Sequence, residues 1–280
     1  MLRTSLLTLA VGAAAGAHAE VTLCGQYGDY ETKAYTYNNN AWNPTGTGNS
    51  CTTITNGTGK FDPFYAVWSW SSQPVEVHAY PNVQFNAPAL PLMIGNVGSL
   101  NISSAWTLTN ATGSGPSTSG RKNAAAIPLQ ANVAFDMFAD MNATVSQMPA
   151  KQSVEIMVWV AAFGSYAKPE GYSNGIQDTV TLPQATFNLY IGDNGRGQEV
   201  YTWFATTNLP KFNNLDLAPL LNHLVAKKLV SAQLYLGTVQ FGTEAYYSAK
   251  PVNFSVSSFQ AKLGKVGKNK GSKRSVNLLE

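Results

Sequence analysis

Three carboxylic acids sit inside segments that otherwise read as strands. Glu155 lies in VEIMVWV (residues 154–160), Asp136 in VAFDMF (133–138), and Glu244 near the end of LYLGTVQFGTEAY (234–246). Burying a carboxylate in such company is costly unless it is paired or used. Strand alternation puts Glu155, Met157 and Trp159 on one face and Ile156, Val158 and Val160 on the other. The second face is core. The first joins an acid, a thioether and an indole, a combination suited to a cleft for sugar rings. Aromatic faces stack on the C–H side of a pyranose, and carboxylates serve its hydroxyls or its glycosidic bond. The same alternation places Thr238, Gln240, Gly242, Glu244 and Tyr246 on one face if no bulge intervenes. Glycoside hydrolysis needs two such acids: one attacks or activates water, the other protonates the leaving oxygen. With the carboxyls about 5–5.5 Å apart, the reaction retains configuration through a covalent intermediate. An Asp nearby can share a proton with the attacking group and adjust its pKa. Spacing along the chain gives no distance in space, so three satisfied structural acids stand as the alternative at this level.

Other chemistries find little support. The histidines His18, His78 and His223 form neither a metal-ligand spacing nor a Ser-His-Asp set. His78 is expected at the surface or in a groove, and His223 on a helix. GDNGRG at 192–197 fits a hairpin turn better than a phosphate-binding loop. Trp68 and Trp70 share a face by alternation and could be core or sugar platform.

The elements that must position these residues are mostly strands. Alternation marks strands at 26–30, 35–39, 64–71, 77–81, 101–108, 131–139, 154–163, 180–182, 185–191, 199–206, 234–242 and 252–261. Asp193-Asn194-Gly195 separates two of them as a hairpin turn. Residues 215–229 carry Leu217, Leu220, Leu221, Leu224 and Val225 at helical spacing, with Pro219 in the first turn. Many short strands with a single helix point to an antiparallel sandwich or jelly roll. Residues 112–128 lack periodicity and read as a long loop.

Composition bounds the setting. The chain has 280 residues, of which only 12% are charged, enough for one sizeable domain. Arg3, an apolar run over 6–15 and Ala17-His18-Ala19 have the form of a secretory signal ending at residue 19. The apolar run is shorter than the roughly 20 residues that cross a bilayer, and no later segment is long enough. A secreted protein without a membrane anchor is expected. In an oxidising compartment Cys24 and Cys51 are expected to bridge, stabilising the fold by about 3 kcal/mol. Sequons at Asn56, Asn101, Asn110, Asn142 and Asn253 are possible glycan sites, not all of which need be used. The net charge of +3 comes from the end of the chain: residues 262–280 hold six basic residues and one acid, while residues 20–261 hold 11 basic and 14 acidic. Residues 20–261 therefore read as one domain and 262–280 as a solvated tail. The domain does not look like a nucleic-acid binder.

LCGQYGDY (23–30), YNNNAWN (37–43) and the following Cys, AFDMF (134–138), EIMVWVAAFG (155–164), FNLYIGDNG (187–195) and QFGTEAY (240–246) occur together in that order. In this combination the chain resembles glycoside hydrolase family 12, over nearly all of 24–261. The resemblance implies a concanavalin-like, all-β jelly roll of two curved antiparallel sheets with one α-helix and an open groove. It makes Glu155 the nucleophile, Glu244 the acid/base and Asp136 the partner of the nucleophile. It places Asn40 and Trp42 in the negative subsites, with Trp42 as stacking platform, Met157 and Trp159 along the cleft, and Asn194 facing it from the hairpin. It also implies the Cys24–Cys51 bridge. Ala245 and Tyr246 depart from the family's usual Pro and Phe after the acid/base, and the loop 164–175 differs. The expectation is a secreted, monomeric, retaining endo-β-1,4-glucanase that needs no cofactor or metal and acts on cellulose-like β-glucan or xyloglucan. A catalytically inactive polysaccharide-binding or interaction protein on the same fold is the alternative. A jelly-roll xylanase is a third reading, disfavoured by EIMVW.

Overall fold

The computed structural model describes residues 20–55, 61–111, 128–148 and 150–267. The signal sequence read at 1–19, the sequon at Asn56, residues 112–127 of the expected loop and the tail from residue 268 lie outside them. In chain order the strands are β1 (Val21–Leu23), β2 (Asp29–Glu31), β3 (Tyr35–Asn38), β4 (Gly48–Ile54), β5 (Phe64–Trp70), β6 (Asn82–Phe85), β7 (Leu92–Met93), β8 (Val97–Asn110) and β9 (Leu129–Asp140). There follow β10 (Val154–Phe163), β11 (Asp178–Leu182), β12 (Ala185–Asp193), β13 (Glu199–Ala205), β14 (Lys211–Asp216), the helix α1 (Ala218–Ala226), β15 (Tyr235–Gly242), β16 (Ala245–Ser248) and β17 (Val252–Lys265).

These strands build a jelly roll of two sheets. One has the order β1-β4-β5-β17-β8-β14; the other runs β11-β12-β13-β10-β9-β15-β6-β3-β2, with β16 also on β9 and β7 on β15. Against the expectation of antiparallel sheets throughout, β10 and β13 pair in parallel, Glu155 beside Val200. The β11–β12 hairpin is inserted between them in sequence, so β13 enters the sheet in the same direction as β10.

Alternation explains the core. In β10, Ile156, Val158 and Val160 are fully buried between the sheets. Phe241 of β15 joins the layers: its ring lies 4.7 Å from Phe135 of β9, 5.6 Å from Phe259 and 6.4 Å from Phe254 of β17. Burying each such ring contributes about 1.5–3 kcal/mol. Trp68 and Trp70 are core, buried on one face of β5, and so are no sugar platform. Asn253 is buried on β17, a poor glycan acceptor in the folded protein.

Several local expectations change. The segment 77–81 forms only one bridge, Ala79 with Ala245, and the strand starts at Asn82, since Pro81 has no N–H for a ladder. His78 is fully buried rather than at a surface, stacked on Trp70 at 5.3 Å, with Nδ1 3.1 Å from the Asn43 carbonyl. The helix is shorter than 215–229. Leu215 and Asp216 complete β14, and the Asp216 carboxylate accepts from the N–H groups of Leu100 (2.7 Å) and Ala218 (3.0 Å), marking the helix start. Lys228, with φ 61°, turns the chain away at its end. The last strand continues to Lys265, past the boundary expected at 261, because β8 offers partners as far as Val97.

Candidate active site

The side of β10 opposite the core is the face on which the expected groove would run. Met157 and Trp159 lie there with Ala134 and Val200, and the Trp159 indole N–H points to the Met157 sulfur at 3.4 Å. They share the face of Glu155 further along β10, but at 4% and 2% exposure they form a packed floor, not an open stacking surface. Pairing puts Asp136 of β9 beside Met157 of β10 on one side and Gln240 of β15 on the other.

Glu244 reaches this floor in a way alternation does not describe. β15 ends at Gly242, and Thr243 and Glu244 form a break before β16. The break is held by Asn132 of β9. Its carbonyl accepts from the Thr243 hydroxyl, its Oδ1 accepts from the Glu244 N–H (3.0 Å), and its Nδ2 donates to Glu244 Oε2. The Tyr246 hydroxyl donates to the same oxygen at 3.3 Å. Glu155 Oε2 accepts from Asn194 Nδ2 at 3.3 Å, and Asn194 in turn donates to Gln198 Oε1 at 2.6 Å. The hairpin turn carrying Asn194 is closed by Gly195, whose φ of 72° suits glycine, and whose N–H donates to the Asp193 carboxylate.

The carboxyls feel one another. Burial pushes Glu155 up to about 7; Asn194 lowers it, Glu170 raises it and Arg196 lowers it. Burial and then the Glu155 charge push Glu244 up to about 8, against Asn132 and Tyr246, which favour its ionised form. Asp136 stands well above the usual carboxylate range, through burial and then the charges of Glu155 and Glu244. One of its oxygens is buried without a hydrogen-bond partner, in keeping with a neutral acid. The Tyr80 hydroxyl donates to the Ala134 carbonyl at 3.0 Å and is driven up by burial and by all three acids. Such a cluster can hold one carboxylate charged and another protonated near neutrality.

Asn40 turns the chain after β3 with φ 42°, and its carbonyl accepts from the Tyr80 N–H at 2.9 Å. Trp42 follows, with the Arg196 guanidinium 4.4 Å from its ring centre. The disulfide Cys24–Cys51 is present and joins the end of β1 to the middle of β4. No group of three or more His, Cys, Asp or Glu among the described residues could hold a metal ion. No helix among them is long and apolar enough to cross a membrane.

The sequence pattern of glycosyl hydrolase family 12 matches residues 33–264. The chain belongs to that family. This family 12 chain is 30% identical over 262 residues to a xyloglucan-specific endo-β-1,4-glucanase A of Emericella nidulans, covering 92% of this chain and 97% of the relative. It is 28% identical to the enzyme of the same name from Aspergillus aculeatus, covering 88% and 93%. Among solved structures, Trichoderma harzianum endoglucanase 3 of family GH12 superposes with a TM-score of 0.73 at 27% identity, over 88% of this chain and 98% of that one. A family 12 xyloglucanase from Bacillus licheniformis, at 20% identity and a TM-score of 0.68 over 88% and 100%, shares the fold.

Four residues around these acids escaped the sequence reading. Asn132 shares a strand face with Ala134 and Asp136, a pattern that could have revealed it. Tyr80 falls in the segment 77–81, which alternation read as a strand but which forms a single bridge, and Glu170 and Arg196 come from irregular segments or turns, where no periodicity marks them.

Proposed function

We propose that the protein is a secreted, monomeric, retaining endo-β-1,4-glucanase, with xyloglucan the foremost substrate and unsubstituted β-glucan the second. Family membership and two relatives named for xyloglucan support the substrate class. The mechanism rests on one observation. Glu155 of β10, held by Asn194, and Glu244 in the β15–β16 break, held by Asn132, lie in one cluster of acids, close enough for the charge of Glu155 to raise Glu244.

In this reading the Glu155 carboxylate attacks the anomeric carbon. Glu244 gives its proton to the departing glycosidic oxygen. A glycosyl ester forms on Glu155. Glu244, now ionised, takes a proton from water, which attacks the same carbon and frees Glu155. Asp136 stays protonated beside the nucleophile and so adds no charge against it. Trp42 and Asn40 hold sugars on the non-reducing side, and Asn194 orients Glu155.

Activity requires Glu155 ionised and Glu244 protonated. The free enzyme should lose kcat/KM below about pH 7, as Glu155 takes up a proton, and above about pH 8, as Glu244 loses one. Reducing ends released from xyloglucan, barley β-glucan and carboxymethylcellulose test the assignment. Glu155→Gln and Glu244→Gln should each lower hydrolysis by about 10²–10⁴-fold or more. Either variant retaining near-wild-type rates would defeat it. Binding by the wild type without cleavage would instead make this a polysaccharide-binding protein on a hydrolase fold.

A further inference from the structure

The turn between β12 and β13 reaches two places at once. Its Asn194 holds Glu155, and two residues later the Arg196 guanidinium lies over the Trp42 indole, 4.4 Å from the ring centre. Trp42 follows β3, and β10, β9, β15 and β6 stand between β13 and β3 in the sheet. The contact therefore bridges four intervening strands, over the face that carries Glu155. The Arg196 cation also favours the ionised form of Glu155, so the guanidinium is near both the platform and the carboxylate. Backbone geometry steadies the turn: Gly195 and Gly197 take φ of 72° and 82°, and the Arg196 N–H donates to Asn194 Oδ1 at 3.0 Å.

We propose that Arg196 lids the sugar platform, covering the face of Trp42 over which it lies until a glucosyl ring displaces it. This rests on the function proposed above. A ring bound next to the scissile bond and a guanidinium cannot share one indole face. An Arg stacked at an exposed site competes with the sugar by about two- to fivefold in affinity. The same charge offsets part of the negative field on Glu155. That field comes from Glu170 in the loop before β11, because Asp136 on β9 and Glu244 in the β15–β16 break are protonated in the active form and the Tyr80 and Tyr246 hydroxyls facing the cluster are neutral. Arg196 thus exchanges sugar affinity for a more readily ionised nucleophile.

The test uses Arg196→Ala and Arg196→Lys in the full chain. Steady-state kinetics on xyloglucan and barley β-glucan are combined with calorimetric binding of a xyloglucan oligosaccharide to Glu155→Gln, with and without Arg196→Ala. Removing the lid should lower KM and the oligosaccharide Kd by about two- to fivefold and move the acid limb of kcat/KM to higher pH. Lys, which keeps the charge but covers the ring poorly, should restore the limb while leaving KM intermediate. Unchanged or raised KM and Kd in Arg196→Ala would overturn the lid, as would failure of the oligosaccharide to bind either protein. A wild type that binds glucan but never cleaves it defeats the hydrolase reading alone, because the Kd comparison still decides the lid.

Discussion

Glu155 and Glu244 differ less in burial than in company. Glu155 has one neutral amide donor and a cation nearby; Glu244 is gripped by Asn132 from two sides and touched by Tyr246. Donors to a carboxylate favour its charged form, so the Tyr246 hydroxyl holds down a pKa that burial and Glu155 raise. Tyr246→Phe should therefore shift the alkaline limb of kcat/KM upward with little loss at the optimum. Asn132→Ala should shift it the same way and also cost about 10–100-fold in rate, because the acid loses its placement. A pH–rate profile of both variants checks the pair; an unmoved limb in Tyr246→Phe would mean the bond is not felt in solution.

Elements place these side chains by a rule with period two. Glu155 faces the groove because Ile156 and Val158 face the core, and the register of β10 on β9 then sets Met157 beside Asp136. A one-residue slip of β10 would turn Glu155 inward. Phe241 keeps the register of β15 by locking into Phe135 and Phe259. Phe241→Ala should lower unfolding free energy by about 3–5 kcal/mol, read by urea denaturation. Most of these strands were legible because their buried faces are continuous. β4 (GNSCTTI) was not, since its outer end is polar, nor β16, four residues after a break. The run of Thr238 to Tyr246 along one face, expected if no bulge intervened, is interrupted by the break at Thr243 and the register shift between Ala245 and Tyr247, features fixed by pairing with β9.

At the scale of the molecule, an edge strand and a cluster of acids pull on stability in different ways. The Cys24–Cys51 bridge ties β1, at the edge of its sheet, to β4 across a separation of 27 residues. Replacing both cysteines by Ser should cost about 3 kcal/mol, measured as a fall in Tm. The acids act through pH. Glu155 and Glu244 have pKa values raised from about 4.5 to about 7 and 8 on folding, so between those limits the native state holds protons the unfolded chain has released. The stability they contribute is complete below about pH 4.5 and is lost as pH rises through about 7 and 8. Glu244→Gln, which cannot ionise, should gain Tm over the wild type as pH rises from 5 to about 8.5, and a constant difference in thermal melts would contradict the shift.

Side-chain direction within a strand is a local property of the pleated backbone, so the faces of β9 and β10, the hairpin at Asn194 and the pairing of two lone cysteines could be read from residue types alone. Which strands become neighbours is decided by burial summed over the whole sandwich, and no window of sequence contains it. Asn132 grips Glu244 from 112 positions away, His78 is drawn beneath Trp70, and Arg196 meets Trp42 across four intervening strands. Those contacts exist only once two sheets have closed on a common core and carried their rims together.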